Sequence, residues 1–322
     1  MKKIIVSTTI YPISEAIRRY EAFEDWEMVI AGDKKTPPDY ASGLKRAVYL
    51  TPEMQADYDK ELSDAIGWNC VPRRNFGLLW AYDQGADIIA IVDDDNIPNK
   101  SWGKNLMLGK PVEANYYETD LPAFDPIGAT NHPQVWHRGY PIQLVGLRDY
   151  QRKTKRIVTA DIQADFWDGN PDTDAICRIL YRPECRFDST CFPFMGSKVS
   201  PFNCQNTFLL RSVLKDYFVL PYVGRQDDIW AAYYVLSKGH KVIYGPSTVY
   251  HERSPHDLTE DMKQEYLGYE KNLDLVRDLA LDPERIFDYL PEKAARAFRL
   301  YRRHFQEERT AVPASLLQDG WG

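Results

Sequence analysis

An α/β fold wound doubly around a central sheet is what this sequence predicts, and three observations predict it. Strand-like and helix-like patterns alternate through the first hundred residues. Ile88-Ile89-Ala90-Ile91-Val92 is an unbroken apolar run, the kind buried on both faces of a parallel sheet. The chain has 322 residues, 44% hydrophobic and 27% charged, which suits a globular core and rules out wholesale disorder.

In chain order, Ile4-Ile5-Val6 is a β-branched run ending in Ser7-Thr8-Thr9. Ser14 then caps a helix carrying Ile17, Tyr20 and Phe23. Residues 27–31 read as a second strand closed by Gly32-Asp33, and 47–50 as a third, followed by the helix start Thr51-Pro52-Glu53. Residues 74–84 place Phe76, Leu79, Trp80 and Asp83 at helical spacing. Between 99 and 201 periodicity fades and Pro, Gly and aromatics are dense, as in long loops over a sheet. A helix follows Asp227 and leads to a strand at 241–244. A helical stripe of Met262, Tyr266, Tyr269, Leu273, Val276 and Leu279 runs through 259–280. Residues 283–305 read as a charged, peripheral helix, and the tail from Gln306 as frayed. The expected division is a sheet domain over 1–258 and a helical extension over 259–322.

Composition excludes several classes of function. A formal charge of −7 argues against a dedicated nucleic-acid binder. No window approaches the roughly 18 apolar residues of a membrane span, and no signal-peptide core is present. Five cysteines without a C-x-x-C pair predict reduced thiols in a cytoplasmic protein rather than a zinc site.

Ligands of a doubly wound sheet lie at the carboxyl ends of its strands, and the chemistry-bearing residues fall there. Asp93-Asp94-Asp95 follows the buried strand directly. If the segment stays extended, Asp93 and Asp95 share one side, where a hard cation such as Mg²⁺ or Mn²⁺ would relieve their repulsion; the plainer alternative is a solvated acidic turn. Asp227 and Asp228 open a helix, either as N-terminal charges favoured by the dipole or as a general base and an anchor for hydroxyls. His251 is a candidate third metal ligand or a structural histidine. Arg138, in Arg138-Gly139-Tyr140-Pro141, has the planar fork that clamps a diphosphate, and Arg74 would grip phosphate or cap charge. Thr8 and Asp33, at the ends of the first two strands, join Arg74 and Asp94 as candidates facing a nucleotide. The stretch 168–174 starts like a calcium loop, but Thr173 stands in place of the turn glycine and Ile179 in place of the bidentate Glu. Asp172 and Asp174 are therefore read as hydroxyl-orienting groups or plain turn residues.

Taken together these motifs resemble the reversibly glycosylated polypeptide family, also called UDP-arabinopyranose mutases. The triple Asp, the Arg138 tetrad, Asn170-Pro171-Asp172-Thr173-Asp174-Ala175, Phe192-Pro193 through Gly196, Gly224-Arg225 through Trp230, and Tyr250-His251 with Ser254-Pro255 match in order. The first part, with Asp25-Trp26, Gly32-Asp33-Lys34-Lys35-Thr36-Pro37 and Arg74-Asn75-Phe76-Gly77, is similar to STELLO-type glycosyltransferases. The resemblance implies a GT-A-like doubly wound mixed sheet, a UDP-sugar substrate, Mn²⁺ (or Mg²⁺) held by Asp93, Asp95 and His251, and a homo-oligomer or a complex with related subunits. Arg138 aligns with the arginine associated there with reversible sugar attachment. A guanidinium is a poor nucleophile, so stabilising the departing UDP suits it better. Expected first is a pyranose/furanose mutase; the alternatives are a glycosyltransferase and a non-catalytic nucleotide-sugar-binding subunit. A nucleotidyltransferase is disfavoured by the lack of a Gly-rich loop with lysine near the N-terminus.

Overall fold

The computed structural model describes residues 1–252 and 257–306. The expected motif residues Ser254-Pro255, His256 and the tail beyond Gln306 lie outside them.

The first strands form where the apolar runs are. β1 (Lys3–Thr8) leads through α1 (Glu15–Glu21), capped by Ser14, to β2 (Glu27–Ala31) and β3 (Val48–Leu50). Thr51 caps α2 (Pro52–Tyr58), and Asp59 caps α3 (Lys60–Ile66). Then come α4 (Arg74–Asp83), the fully buried β4 (Ile88–Val92), β5 (Asn96–Pro98), β6 (Val112–Tyr117), β7 (Lys153–Val158) and β8 (Ile162–Gly169). The chain goes on through α5 (Ala175–Tyr181), β9 (Phe194–Gly196), β10 (Asn206–Leu210), α6 (Asp227–Ser237), β11 (Val242–His251), α7 (Leu258–Leu281) and α8 (Glu292–Arg303).

Among the described residues these strands make one eleven-stranded sheet in the order β3-β2-β1-β4-β10-β8-β11-β9-β6-β7, with β5 paired to β11. β3, β2, β1 and β4 are parallel, and β10 runs antiparallel between β4 and β8. That is the expected Rossmann-like doubly wound mixed sheet with a C-terminal helical extension. One apolar cluster runs from Ile5 and Ile91 through Phe208 and Tyr234 to Phe298.

Three expectations need correction. The loosely patterned stretch 99–201 contains β6, β7, β8, α5 and β9. Every residue of β7 is exposed or half-buried, so it has no apolar face; β8 alternates Ile162, Ala164 and Phe166 with Gln163 and Asp165, a short period-2 pattern that the surrounding loop-like composition hides. The peripheral helix at 283–305 is instead a 3₁₀ turn (Pro283–Asp288) followed by α8, which buries Ala294, Ala297, Phe298 and Tyr301. Finally, Asp93-Asp94-Asp95 leaves the sheet in a turn instead of staying extended, and its carboxylates turn to separate partners.

Candidate active site

Two adjoining recesses open at the carboxyl ends of β1 and β4. The smaller, about 250 Å³, is lined by Thr8, Thr9, Tyr11, Arg74, Asp94 and Asp95. The larger, about 550 Å³, is lined by Arg138, Gln205, Tyr222, Asp227 and Asp228 among others. Asn69, Cys70, Val71 and Asp93 border both, so the two form one crevice.

In the smaller recess the three aspartates take separate partners. Asp93 is paired with Arg74, whose Nη1 also donates to the Cys204 carbonyl at 2.6 Å. Burial, opposed by Arg74 and aided by the charge of Asp95, pushes the Asp93 carboxyl up to about 6. Asp94 accepts from the Thr9 hydroxyl. Asp95 accepts from Asn96 Nδ2 at 2.9 Å and lies 3.3 Å from His251 Nε2. His251 Nδ1 lies 2.7 Å from the Asn170 carbonyl oxygen, an atom that can only accept, so Nδ1 carries the proton. In the neutral ring Nε2 then turns a lone pair toward a carboxylate, the orientation of a metal-ligating histidine steadied by a backbone carbonyl. The donor set of Asp95 and His251 fits a hard divalent cation, whereas Asp93 has given one oxygen to Arg74. Among the described residues no three His, Cys, Asp or Glu side chains converge on one point. An ion there would complete its shell from phosphate and water, as Mg²⁺ and Mn²⁺ commonly do.

The predicted nucleotide-facing residues divide. Thr8 and Asp94 line the small recess, and so does Arg74. Asp33 is buried behind it, accepting from the backbone N–H of Cys70 at 3.0 Å, and so fixes the 69–71 rim.

The large recess is built on Arg138. Its tetrad turns on Gly139 at φ +81°, where a Cβ would stand 2.3 Å from Ile229 of α6. The Gly139 carbonyl accepts from Tyr233 at 3.0 Å and from Asn272 of α7 at 2.7 Å. Thus anchored, the Arg138 guanidinium donates to both oxygens of Asp172, to Asp228 at 3.0 Å and to the Arg225 carbonyl. Against the upward push of burial, Arg138 holds the carboxyls of Asp172 and Asp228 below the usual range. Asp227, at the start of α6, goes the other way. Burial first and the Asp228 charge second push it up to about 7. The structure therefore brings Arg138, Asp227 and Asp228 together.

Asp172 and Asp174, expected at hydroxyls, sit elsewhere. Asp172 is wholly buried under Arg138 and also accepts from Asn203. Asp174 caps α5 through Cys177 N–H at 2.8 Å and accepts from Trp136 Nε1 at 2.6 Å. Sequence reasoning missed Asn69, Gln205, Tyr222 and Gln264 in the large recess and Thr9 and Tyr11 in the small one. None carries a motif; Thr9 and Tyr11 are the findable ones, since they follow directly on β1.

Fold and crevice together define a doubly wound α/β protein whose polar site straddles the carboxyl ends of its strands. No family model matches the chain. Over 187 residues it is 24% identical to the Probable glycosyltransferase STELLO2 and 25% to the Probable glycosyltransferase STELLO1, both of Arabidopsis thaliana. The match takes in 54% of this chain and only 24% of either plant protein. The chain is thus a distant relative of two plant proteins described as probable glycosyltransferases and spans about a quarter of their length. Among solved structures, glucosyl-3-phosphoglycerate synthase from Mycobacterium tuberculosis in complex with phosphoglyceric acid aligns with TM-score 0.41 and 11% identity, over 86% of this chain and 80% of that one. The mannosyltransferase PcManGT from Pyrobaculum calidifontis, in complex with GDP-Man and Mn²⁺, aligns with TM-score 0.40 and 11% identity, over 98% and 78%. Among the described residues no helix is long and apolar enough to cross a membrane, and all five cysteines are free thiols.

Proposed function

We propose that this chain is a glycosyltransferase that moves a sugar from a nucleotide-sugar donor, UDP-linked, to a separate acceptor. The observation that carries the reading is the double crevice, an acidic recess of about 250 Å³ that opens directly into a larger one. Distant kinship to plant glycosyltransferases supports it. In the mutase resemblance Arg138 is the sugar-bearing group, yet here all three guanidinium nitrogens are engaged by protein acceptors.

In this reading the donor diphosphate lies in the small recess beside Arg74, Thr8 and Thr9. Asp95 and His251 would hold Mn²⁺ or Mg²⁺, which when bound supplies positive charge for the departing diphosphate. Asp227 takes the proton of the acceptor hydroxyl, whose oxygen bonds to the anomeric carbon. The carbon–oxygen bond to the diphosphate breaks, and its electron pair leaves with the nucleotide. Asp228, its charge fixed by Arg138, orients the hydroxyl. The sheet domain over 1–258 and the extension over 259–322 are proposed to act as one unit, because Gln264 lines the cleft and Asn272 holds the Arg138 turn.

The test is calorimetric titration of UDP with and without Mn²⁺, followed by chromatography of UDP-sugars incubated with the protein. UDP binding should need the metal and weaken at least tenfold in Asp95→Ala. Sugar should leave the nucleotide fully only when an acceptor is supplied. Metal-independent binding would overturn the assignment of Asp95 and His251, and a furanose nucleotide product without acceptor would restore the mutase.

A further inference from the structure

The chemistry of the larger recess points to the kind of acceptor it takes, an inference that rests on the glycosyltransferase reading and deepens it. Tyr222 is 48% exposed, lines this recess, and holds a backbone φ of +64°. A bulky side chain rarely adopts that left-handed conformation, and such strain gathers at binding sites. Asn69, at φ +60°, lines the same recess, so two of the three non-glycine residues with positive φ among the described residues meet here. The Tyr222 ring has no ring neighbour among the described residues; Lys293 Nζ lies 5.8 Å from its centroid, outside the lining.

The polar groups of the recess are hydroxyl partners rather than anion partners. Asp228 is buried, and its Oδ1 has no hydrogen-bond partner in the structure, which leaves a carboxylate acceptor at the wall of the recess. The amides of Asn69 and Gln264 offer both donors and acceptors, and Gln205 offers its Nε2 donors, its Oε1 already accepting from Trp167 at 2.6 Å and Asn203 at 3.2 Å. Every arginine at the recess is matched by carboxylates: Arg138 by Asp172 and Asp228, Arg225 by Glu265 at 2.9 Å and Asp261 at 3.6 Å, and neighbouring Arg74 by Asp93. A phosphate on the acceptor would meet carboxylates and no uncommitted guanidinium.

We infer that Tyr222 is the stacking platform for a neutral, hydroxyl-rich acceptor, a saccharide ring whose apolar face lies on the phenol while its hydroxyls reach Asp228 and the amides. A flat amphipathic ring beside carboxylates and amides suits a pyranoside: its C–H face packs on the π-system and its rim hydrogen-bonds. Within the lining itself a phosphorylated acceptor meets no ammonium and no unpaired guanidinium.

The test is saturation-transfer NMR on the whole protein with UDP and Mn²⁺, and again without them. The neutral probes are cellotriose, maltotriose, mannotriose and lactose; the anionic probes are glucose 6-phosphate and mannose 6-phosphate. At least one neutral saccharide should give transfer that the sugar phosphates do not match. Tyr222→Gly should cut that signal at least fivefold and Tyr222→Phe should keep it. Glycine relieves the left-handed backbone, so Tyr222→Gly should melt no lower than the parent protein, which separates lost binding from lost fold. UDP affinity should be the same in all three proteins. Transfer to the sugar phosphates at equal or greater strength, no transfer to any neutral probe, or an undiminished signal in Tyr222→Gly would each overturn the proposal. Loss of metal-dependent UDP binding in the parent protein would strike the donor reading instead, and the nucleotide-free arm would still report on Tyr222.

Discussion

Arg138 carries its charge into a site where it is 5% exposed and meets Asp172 and Asp228. A buried ion pair adds little over an apolar replacement, but removing one partner strands the others, at a cost of about 3–5 kcal/mol. Arg138→Ala should therefore lose about that much in urea unfolding, with UDP binding in the neighbouring recess retained; an unchanged midpoint would show the network to be dispensable. Asp165 offers a second prediction, far from the proposed donor site. It accepts from Gln163 at 2.8 Å and Thr248 at 3.0 Å, and burial pushes its carboxyl up to about 7. A group whose folded value is raised gives stability that is full below its unfolded value, near 4, and is lost as pH rises through about 7. Asp165→Asn removes that titration. The variant should gain about 2–3 kcal/mol on the parent protein between pH 5 and pH 8, read by thermal melts across the range. Equal pH slopes would refute the assignment. At this scale the sequence is a good guide to which residues matter and a poor one to their partners. Asp172 stands in a matching motif, but nothing local announces that it lies under an arginine 34 positions earlier.

At the scale of elements, legibility followed the apolar pattern. Glu27–Ala31 and Ile88–Val92 are read to the residue, because their runs are buried and bounded by polar residues. β8 escapes because its second face carries Gln163 and Asp165, which read as solvent-facing but are buried and satisfied by partners distant in sequence such as Met107 N–H and Thr248. For α8, charge outweighed a stripe that was present: Ala294, Ala297, Phe298 and Tyr301 fall at helical spacing and all are buried. The turn between Arg138 and α6 makes an element-level prediction. Gly139→Ala puts a methyl 2.3 Å from Ile229 and a side chain on φ +81°. Either the turn or α6 must shift, at about 1–3 kcal/mol for the overpacking alone. The variant should lose stability by that amount and transfer activity by at least tenfold, since Arg138 and Asp228 move with the two elements. Full activity with lowered stability would mean that the turn holds only the fold.

The molecule as a whole is tied together across the expected division at 258. Phe298 of α8 stacks on Phe218 at 5.2 Å and meets Tyr234 of α6 edge-on at 5.1 Å, and Tyr301 donates to the Leu214 carbonyl at 3.0 Å. The segment so held continues into Leu220, Pro221 and Tyr222, a wall of the larger recess. It is tied back to α4 by Val219 N–H to Asn75 Oδ1 at 3.0 Å. At the far end of α8, His304 lies 3.1 Å from Asp83 and 3.2 Å from Tyr58, so the extension closes onto helices from the first third of the chain. A helix that shares its core with both halves cannot melt without exposing them, so unfolding should be one transition. Seven of the eight tryptophans precede residue 258, so their fluorescence reports the sheet domain, while far-UV circular dichroism also weighs α7 and α8. The two signals should therefore fall together in urea. Phe298→Ala should shift both midpoints by the same amount, about 3–5 kcal/mol for an aromatic side chain removed from a packed core. Were the extension an independent appendage, the variant would instead show an early dichroism loss while the fluorescence midpoint stayed in place. UDP binding measured through that first phase would then show whether the recess needs α8 behind it.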